Sequence, residues 1–130
     1  MLYISKKCLL LYSKNAVKDV QKQCRICILD IEVEGVKNVK KTDLDPRCVF
    51  IKPPSMQVLE ERLRGRGTET EESIQRRLSK AQGEMKYGET PGNFDLILVN
   101  ECVKNTYKYL RAFLMKSYDL PSDILHAIEQ

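Results

Sequence analysis

"CVFIKPPSMQVLEERLRG", residues 48–65, decides the fold class because it joins a β-type run directly to a helical one. The apolar run at its start is continuous rather than alternating, which is typical of a strand buried on both faces. Two prolines end that run, and Ser55 suits the N-cap of the helical pattern that follows. The stretch therefore predicts a strand that leads into a helix, as in a parallel α/β sheet.

Two more runs have the same character, "RICILDIEV" at residues 25–33 and "FDLILVN" at residues 94–100. Thr68 and Glu71 have capping-box spacing for a long helix, and Pro121 ends the last helix. Helical patterns occupy residues 13–23, 34–41, 56–65, 68 to about 87, and 101–118. Strands that alternate with helices predict an α/β domain whose parallel sheet is flanked by helices and binds ligands at the carboxyl ends of its strands.

Composition limits the partners. The 130 residues fit one domain, 42% hydrophobic content supports a core, and the net charge of +4 falls short of the dense basic face that nucleic acid requires. No apolar run reaches membrane-spanning length, and the N-terminal run is too short for a signal peptide. We therefore expect a cytoplasmic protein that binds neither nucleic acid nor membrane.

The cysteines agree with a reducing compartment because their number is odd and their spacing irregular. They are Cys8, Cys24, Cys27, Cys48 and Cys102. Cys24 and Cys27 form a C-x-x-C, but they open an apolar run, so we interpret them as packing cysteines rather than a redox or metal pair. No second Cys/His pair has ligand spacing, and a zinc site is not supported.

"RLRGRGTETEESIQRRL", residues 62–78, contains five arginines. At 100° per residue, the helical stripe that we expect to be buried is Ile74, Leu78, Ala81 and Met85. Arg77 borders that stripe, Arg76 points away from it, and Arg62 and Arg66 share a face of the preceding helix. Arg62, Arg66 and Arg77 are thus placed to converge on an anion such as phosphate. Spacing alone leaves open a solvated helical hairpin that binds nothing.

"GRGTETEESIQRRL", with the preceding "FIKPPSMQVLEERL" and "ILDIEVEGVKNVK", closely resembles the guanylate kinases, which transfer a phosphate from ATP to GMP. The resemblance runs from about residue 13 to residue 116. It implies a truncated P-loop kinase fold with a helical arginine lid at about 62–88, Mg²⁺ bound with ATP, and ATP and GMP as ligands. Residues 1–12 do not align, residues 13–117 form the guanylate-kinase-like part, and residues 118–130 are a tail that can form a short helix.

The resemblance also implies roles on the ATP side. Arg66 and Arg77 match the lid and catalytic arginines that close over the ATP phosphates, and Arg62 matches a third lid arginine that supports them. Such groups serve phosphoryl transfer because catalysis there is mostly positioning and electrostatic stabilisation. The remaining ATP-side residues are Asn100 beside the adenine, Glu101 in place of an aspartate of the family, and Pro53 and Pro54.

On the GMP side the sequence departs from the family pattern. Asp30 matches an acid near Mg²⁺, although a strand-end acid without a ligand is the alternative. Glu32 and Glu34 stand where the family has aspartate and glutamine, so Glu32 can keep the charge that contacts guanine but is one methylene longer. Tyr12 matches a tyrosine that binds the GMP phosphate, in a motif shortened to "LYSK".

The six glycines of these 130 residues include no G-x-x-x-x-G-K-[ST] loop, the motif that cradles phosphates in this family. In the family, the strand before that loop lies between the strands that match residues 25–33 and 48–54. We therefore expect this chain alone to be inactive and its exposed strand edges to allow association.

"CLLLY", residues 8–12, is a hypothetical surrogate strand for the one that precedes that loop in the family. The alternative function is a non-catalytic remnant or interaction module that binds nucleotide weakly, whereas a phosphate loop encoded upstream would restore the enzyme.

Overall fold

The computed structural model describes residues 14–23 and 26–118, and the chain divides into two compact units, Leu2–Pro46 and Arg47–Gln130. Within the described residues there are five helices and one two-stranded parallel sheet. The elements are α1 (Lys14–Lys22), α2 (Val33–Lys40), β1 (Val49–Lys52), α3 (Met56–Gly65), α4 (Glu71–Glu89), β2 (Leu96–Val99) and α5 (Val103–Tyr118). The predicted mixed α/β class is confirmed.

The unit Leu2–Pro46 contains α1 and α2, which match the helical patterns at residues 13–23 and 34–41. Val17 on α1 is buried, and Lys18 of the same helix forms an ion pair with Asp43, with 3.5 Å between Nζ and Oδ2. Asp43 lies in the turn after α2, so the pair joins α1 to the end of α2. Both partners are exposed, and such pairs contribute little to stability.

The predicted strand at residues 25–33 is wrong. Residues 26–32 have no regular secondary structure, Val33 already belongs to α2, and the Ile28 side chain is 71% exposed. The run has the apolar composition of a strand, but a strand also needs a neighbour for its N–H and C=O groups, and no described strand pairs with it. The surrogate strand suggested at residues 8–12 lies outside the described residues.

The other two predicted strands are present and pair in parallel. Val49 of β1 lies opposite Leu96 of β2, and Lys52 lies opposite Val99. Asp95 fixes the start of the pair, because the Cys48 N–H donates to its Oδ2 at 2.6 Å and its own N–H donates to the Cys48 carbonyl at 2.8 Å. The carboxyl ends of both strands therefore meet at one edge of the sheet.

The core of the unit Arg47–Gln130 lies around Phe50, against the C-terminal part of α4. The Phe50 ring contacts Gly88, and its centroid is 5.1 Å from that of Phe94, which meets Tyr87 edge-on at 6.0 Å. Leu98 is buried on the strand that α5 packs against. Other buried apolar residues in the described part of this unit include Cys48, Leu63, Ile74 and Ala81.

Helices α3 and α4 form a hairpin. The α3 N-cap is Ser55 as predicted, since its Oγ accepts the Val58 N–H at 3.2 Å. Gly67 ends the helix with a φ of 65°, a left-handed conformation that glycine adopts without strain. The N-cap of α4 is Thr70, whose Oγ1 accepts the Ser73 N–H at 3.3 Å, so the predicted start at Thr68 is two residues early. Residue 68 instead lies in the irregular segment between Gly67 and Thr70.

Arg64 links the two helices of the hairpin. Its Nη1 and Nη2 both donate to the Glu71 carboxylate, the latter at 2.9 Å, and its Nε donates to Glu60 at 2.9 Å. The hydrogen bonds from Arg64, and then one from Gln75, lower the pKa of Glu71 to about 2. The two carboxylates in turn raise the pKa of Arg64. All of these side chains are exposed, so salt will weaken the link.

Two smaller findings concern the sequence predictions. No helix in the described ranges is long and apolar enough to cross a bilayer.

Cys27, Cys48 and Cys102 are free thiols, with Cys48 buried in the core and Cys102 exposed. Cys24 is outside the described residues, so the C-x-x-C interpretation stays a prediction.

We expect Gly88→Ala to lower the thermal midpoint because the added methyl would overlap the Phe50 ring. Overpacking of this kind costs about 1–3 kcal/mol. Gly83→Ala is the matched control, since it lies on the same helix with no atom within 4 Å of an added Cβ. Its higher helix propensity should raise the midpoint slightly. Equal midpoints for the two variants in a thermal melt would contradict this packing.

We expect Arg64→Gln to raise the pKa of Glu71 from about 2 toward its ordinary value of 4.5. Because the pKa falls on folding, the pair contributes stability above about pH 4.5 and loses it as the pH falls through about 2. The measurement is an NMR titration of the Glu71 carboxyl carbon, with Arg76→Gln as the control. A Glu71 midpoint that Arg64→Gln leaves unchanged would show that Arg64 does not hold this carboxylate.

Candidate functional site

The site is built at the edge of the sheet where β1 and β2 end. After β1 come Pro53, which is buried, and Pro54, which is exposed; after β2 come Asn100 and Glu101. The Asn100 N–H donates to the Lys52 carbonyl at 2.7 Å, which extends the pairing by one step beyond the strands. The predicted ATP-side residues that follow the two strands are therefore neighbours.

Arg62 reaches this edge from α3. Its Nη1 donates to the Asn100 carbonyl at 2.8 Å, and its Nη2 donates to the Glu101 carbonyl at 3.3 Å. The planar fork of a guanidinium suits two adjacent acceptors of this kind. Arg62 thus ties α3 to the loop after β2, and its predicted support of the other lid arginines stays a prediction.

Thr106 contacts the Asn100 side chain and was not predicted from the sequence. Its Oγ1 lies 3.2 Å from Asn100 Oδ1 and 3.0 Å from the Cys102 carbonyl, and the residue is buried. A hydroxyl one turn into a helix commonly bonds to the carbonyl four residues back, so the sequence pattern alone did not mark it as part of a site.

Lys52 is a second residue at this edge that was not predicted. It is the last residue of β1, and its Nζ forms a close ion pair with Glu89 at the end of α4. Its side chain is 21% exposed, so the charge is held near the protein surface rather than in bulk solvent. The pair fixes the end of α4 beside the carboxyl edge of the sheet.

The two predicted catalytic arginines lie on the hairpin. Arg66 follows the last residue of α3 and is exposed, and its guanidinium makes no hydrogen bond or ion pair within the described part of the chain. Arg77 is in the second turn of α4, where its Nη2 lies 3.1 Å from Glu69 Oε1 and its side chain is 29% exposed. Arg76 is exposed, as predicted. Convergence of Arg66 and Arg77 on one anion stays a prediction.

Glu69 was missed, although it lies inside the motif that carried the family resemblance. Its side chain is 10% exposed, and its two oxygens contact Arg77 and Ser73. Nothing in the spacing distinguished it from Glu71 and Glu72, which follow Thr70. Only the path of the turn after Gly67 brings Glu69 inward.

Asp30 and Glu32 belong to the other compact unit and are half-buried, with Glu32 at the position before α2, and Tyr12 lies outside the described residues. Across residues 14–23 and 26–118, no group of three or more His, Cys, Asp or Glu side chains is placed to hold a metal. Mg²⁺ that is bound by ATP needs only one or two protein carboxylates besides phosphate oxygens. The Asp30 carboxylate has that donor chemistry. The roles of Asp30 at Mg²⁺, Glu32 at guanine and Tyr12 at the GMP phosphate stay predictions.

Known proteins resemble the chain over most of its length. The family profile described as guanylate kinase matches residues 6–117. Guanylate kinase of Sus scrofa is 50% identical over 102 residues, which are 78% of this chain and 52% of that protein. Guanylate kinase of Homo sapiens is 47% identical over 102 residues, with the same two coverages. The guanylate kinase homolog of Vaccinia virus (strain Western Reserve) is 37% identical over 98 residues, 75% of this chain and 65% of that protein.

The residues that the family profile matches include the hairpin, the two strands and the loop after β2. The chain spans about half the length of the first two of these relatives. Since the family profile covers well over half of the sequence, the chain belongs to the guanylate kinase family.

Proposed function

We propose that this chain supplies the ATP side of an ATP:GMP phosphotransferase, which moves the γ-phosphoryl group of ATP to a phosphate oxygen of GMP and yields ADP and GDP. The observation that carries the proposal is the pair of hydrogen bonds from Arg62 to the carbonyls of Asn100 and Glu101. These bonds attach the arginine hairpin to the carboxyl edge of a parallel sheet, which is where such sheets bind ligands.

Arg66 and Arg77 would contact the phosphates. Phosphoryl transfer needs positive groups around the moving phosphoryl group because charge is spread over its oxygens. The Arg66 guanidinium makes no hydrogen bond or ion pair in the described part of the chain, so its approach to a phosphate breaks no such contact. A guanidinium keeps its charge at any working pH and can donate two parallel hydrogen bonds to a phosphate.

The loop after β2 would receive the adenine. Thr106 contacts the Asn100 side chain, and Arg62 binds the backbone carbonyl of the same residue, so this loop is preorganised before a ligand arrives. Pro53 and Pro54 add a rigid turn on the neighbouring strand, and Glu101 takes the place of the family's aspartate. Preorganisation of this kind reduces the entropy that binding must overcome.

The residues that would contact GMP and Mg²⁺ are assigned from the family pattern. Glu32 would contact guanine, Tyr12 would bind the GMP phosphate, and Asp30 would meet the Mg²⁺ that accompanies ATP. The carboxylate of Glu32 matches the charge of the aspartate it replaces but not its length, so we expect weaker guanine recognition than in relatives that carry aspartate.

A second candidate function, nucleotide binding without turnover, is favoured by one observation about these 130 residues. They contain no G-x-x-x-x-G-K-[ST] loop, whose backbone N–H groups and lysine hold the β- and γ-phosphates in P-loop enzymes. We therefore propose that this chain alone binds ATP through its arginines and does not transfer phosphate.

We expect Arg66→Gln and Arg77→Gln each to weaken Mg²⁺–ATP binding to the 130-residue chain by about tenfold or more. Hydrogen bonds to charged groups contribute about 1.5–3 kcal/mol, and each 1.4 kcal/mol is tenfold in Kd. Arg76→Gln removes the same charge from an exposed position and should change the Kd less than about twofold. The measurement is titration with a fluorescent ATP analogue and competition by ATP. Equal Kd values for all three variants would refute the phosphate-binding role.

A coupled assay for ADP formation separates the two candidate functions. ADP that forms with GMP, and not with AMP, would show a guanylate kinase and overturn our expectation of an inactive chain. ATP binding that is sensitive to Arg66 and Arg77, without ADP formation, would establish binding without turnover. The controls are the same chain without nucleotide and the Arg77→Gln variant.

A further inference from the structure

Glu69 forms a nearly buried contact with one of the predicted catalytic arginines. Its Oε1 lies 3.1 Å from Arg77 Nη2, and its Oε2 accepts a hydrogen bond from the Ser73 hydroxyl at 2.6 Å. Only 10% of the Glu69 side chain is exposed, against 56% for Glu71 in the other ion pair of the hairpin. The two carboxylates are two residues apart in sequence but differ in how strongly solvent screens them.

Burial makes the Glu69–Arg77 contact hard to give up. A carboxylate that has lost most of its water needs hydrogen bonds and a counter-charge, and removal of either partner leaves an uncompensated charge. Ser73 supplies a hydrogen bond and Arg77 supplies the charge. The exposed Arg64–Glu71 pair has no such requirement, since water can replace either partner there.

An arginine that a carboxylate already holds is better prepared to bind an anion. The free side chain has many rotamers, and part of this entropy is lost in advance when the guanidinium is held. A guanidinium has five N–H donors, so a contact at Nη2 does not exhaust its hydrogen-bonding capacity. Charged groups that are fixed before the reaction stabilise developing charge without reorganisation.

We propose that Glu69 is a positioning residue for Arg77, and that it keeps this contact while Arg77 binds phosphate. The inference rests on the proposed role of Arg77 at the ATP phosphates and extends it to a residue that does not touch the nucleotide. The opposite arrangement is a competitor, in which Arg77 must leave Glu69 to reach ATP. The two arrangements predict opposite effects of removing the Glu69 charge.

The first test compares Glu69→Gln with Glu72→Gln. Each removes one negative charge from the start of the same helix region, but Glu72 is exposed and makes no hydrogen bond or ion pair in the described part of the chain. Glutamine keeps an oxygen for the Ser73 hydroxyl. We expect Glu69→Gln to weaken Mg²⁺–ATP binding to the full chain about tenfold, the size of one charged hydrogen bond, with Glu72→Gln unchanged. Tighter binding in Glu69→Gln would show a competitor and overturn the proposal.

A double-mutant cycle with Arg77→Gln separates positioning from a general structural effect. If Glu69 acts through Arg77, Glu69→Gln has no further effect on the Kd once Arg77 is replaced. If Glu69 only stabilises the hairpin, its effect on the Kd is the same with and without Arg77, and the proposal is overturned. Thermal melts of all four proteins confirm that each is folded at the assay temperature.

A second readout needs no nucleotide. The Arg77 Nη2–H signal in a ¹⁵N NMR spectrum should exchange slowly with water in the wild-type chain, faster in Glu69→Gln, and at the wild-type rate in Glu72→Gln. An Arg77 signal that Glu69→Gln leaves unchanged would overturn the proposal. If Arg77→Gln binds ATP as well as the wild type does, the proposed function fails instead, and the exchange rates still report whether Glu69 holds Arg77.

Discussion

The parallel pairing of Val49–Lys52 with Leu96–Val99 is the constraint on which the candidate site depends. It aligns the ends of two strands that are far apart in sequence, so that Pro53 and Asn100 begin their loops from adjacent positions. Asp95 secures the start of the pairing, and the Asn100 N–H closes its end. A shift of one residue would turn every side chain of β2 to the other face and displace the carbonyls that Arg62 binds.

Three arginines of one short segment have different environments. Arg62 binds backbone carbonyls of the loop after β2, Arg64 binds exposed carboxylates within the hairpin, and Arg77 binds a nearly buried one. The neighbours, rather than the residue type, decide whether such a charge fixes a loop, joins two helices or pairs with a nearly buried carboxylate. Glu69 and Glu71 differ in the same way, by burial.

The sequence predicted what depends on local pattern. The strands at β1 and β2, the cap at Ser55, the buried positions Ile74 and Ala81, and the family were all readable because each leaves a local or motif signal. The third strand was wrong because an apolar run does not reveal whether a neighbouring strand is there to pair with it. Thr106 and Glu69 were missed because their contacts depend on the path of the irregular segment that brings each side chain to a partner several residues away in sequence.

The separation of the two strands also bears on how this unit folds. The whole α3–α4 hairpin lies between β1 and β2 along the chain, so pairing the strands must close a long loop at an entropic cost. Helical hairpins are rich in local contacts and form quickly, whereas parallel strand pairs form slowly. The arginine hairpin should therefore be structured before the sheet edge that it serves exists, and the Arg62 bridge should be among the last contacts to form.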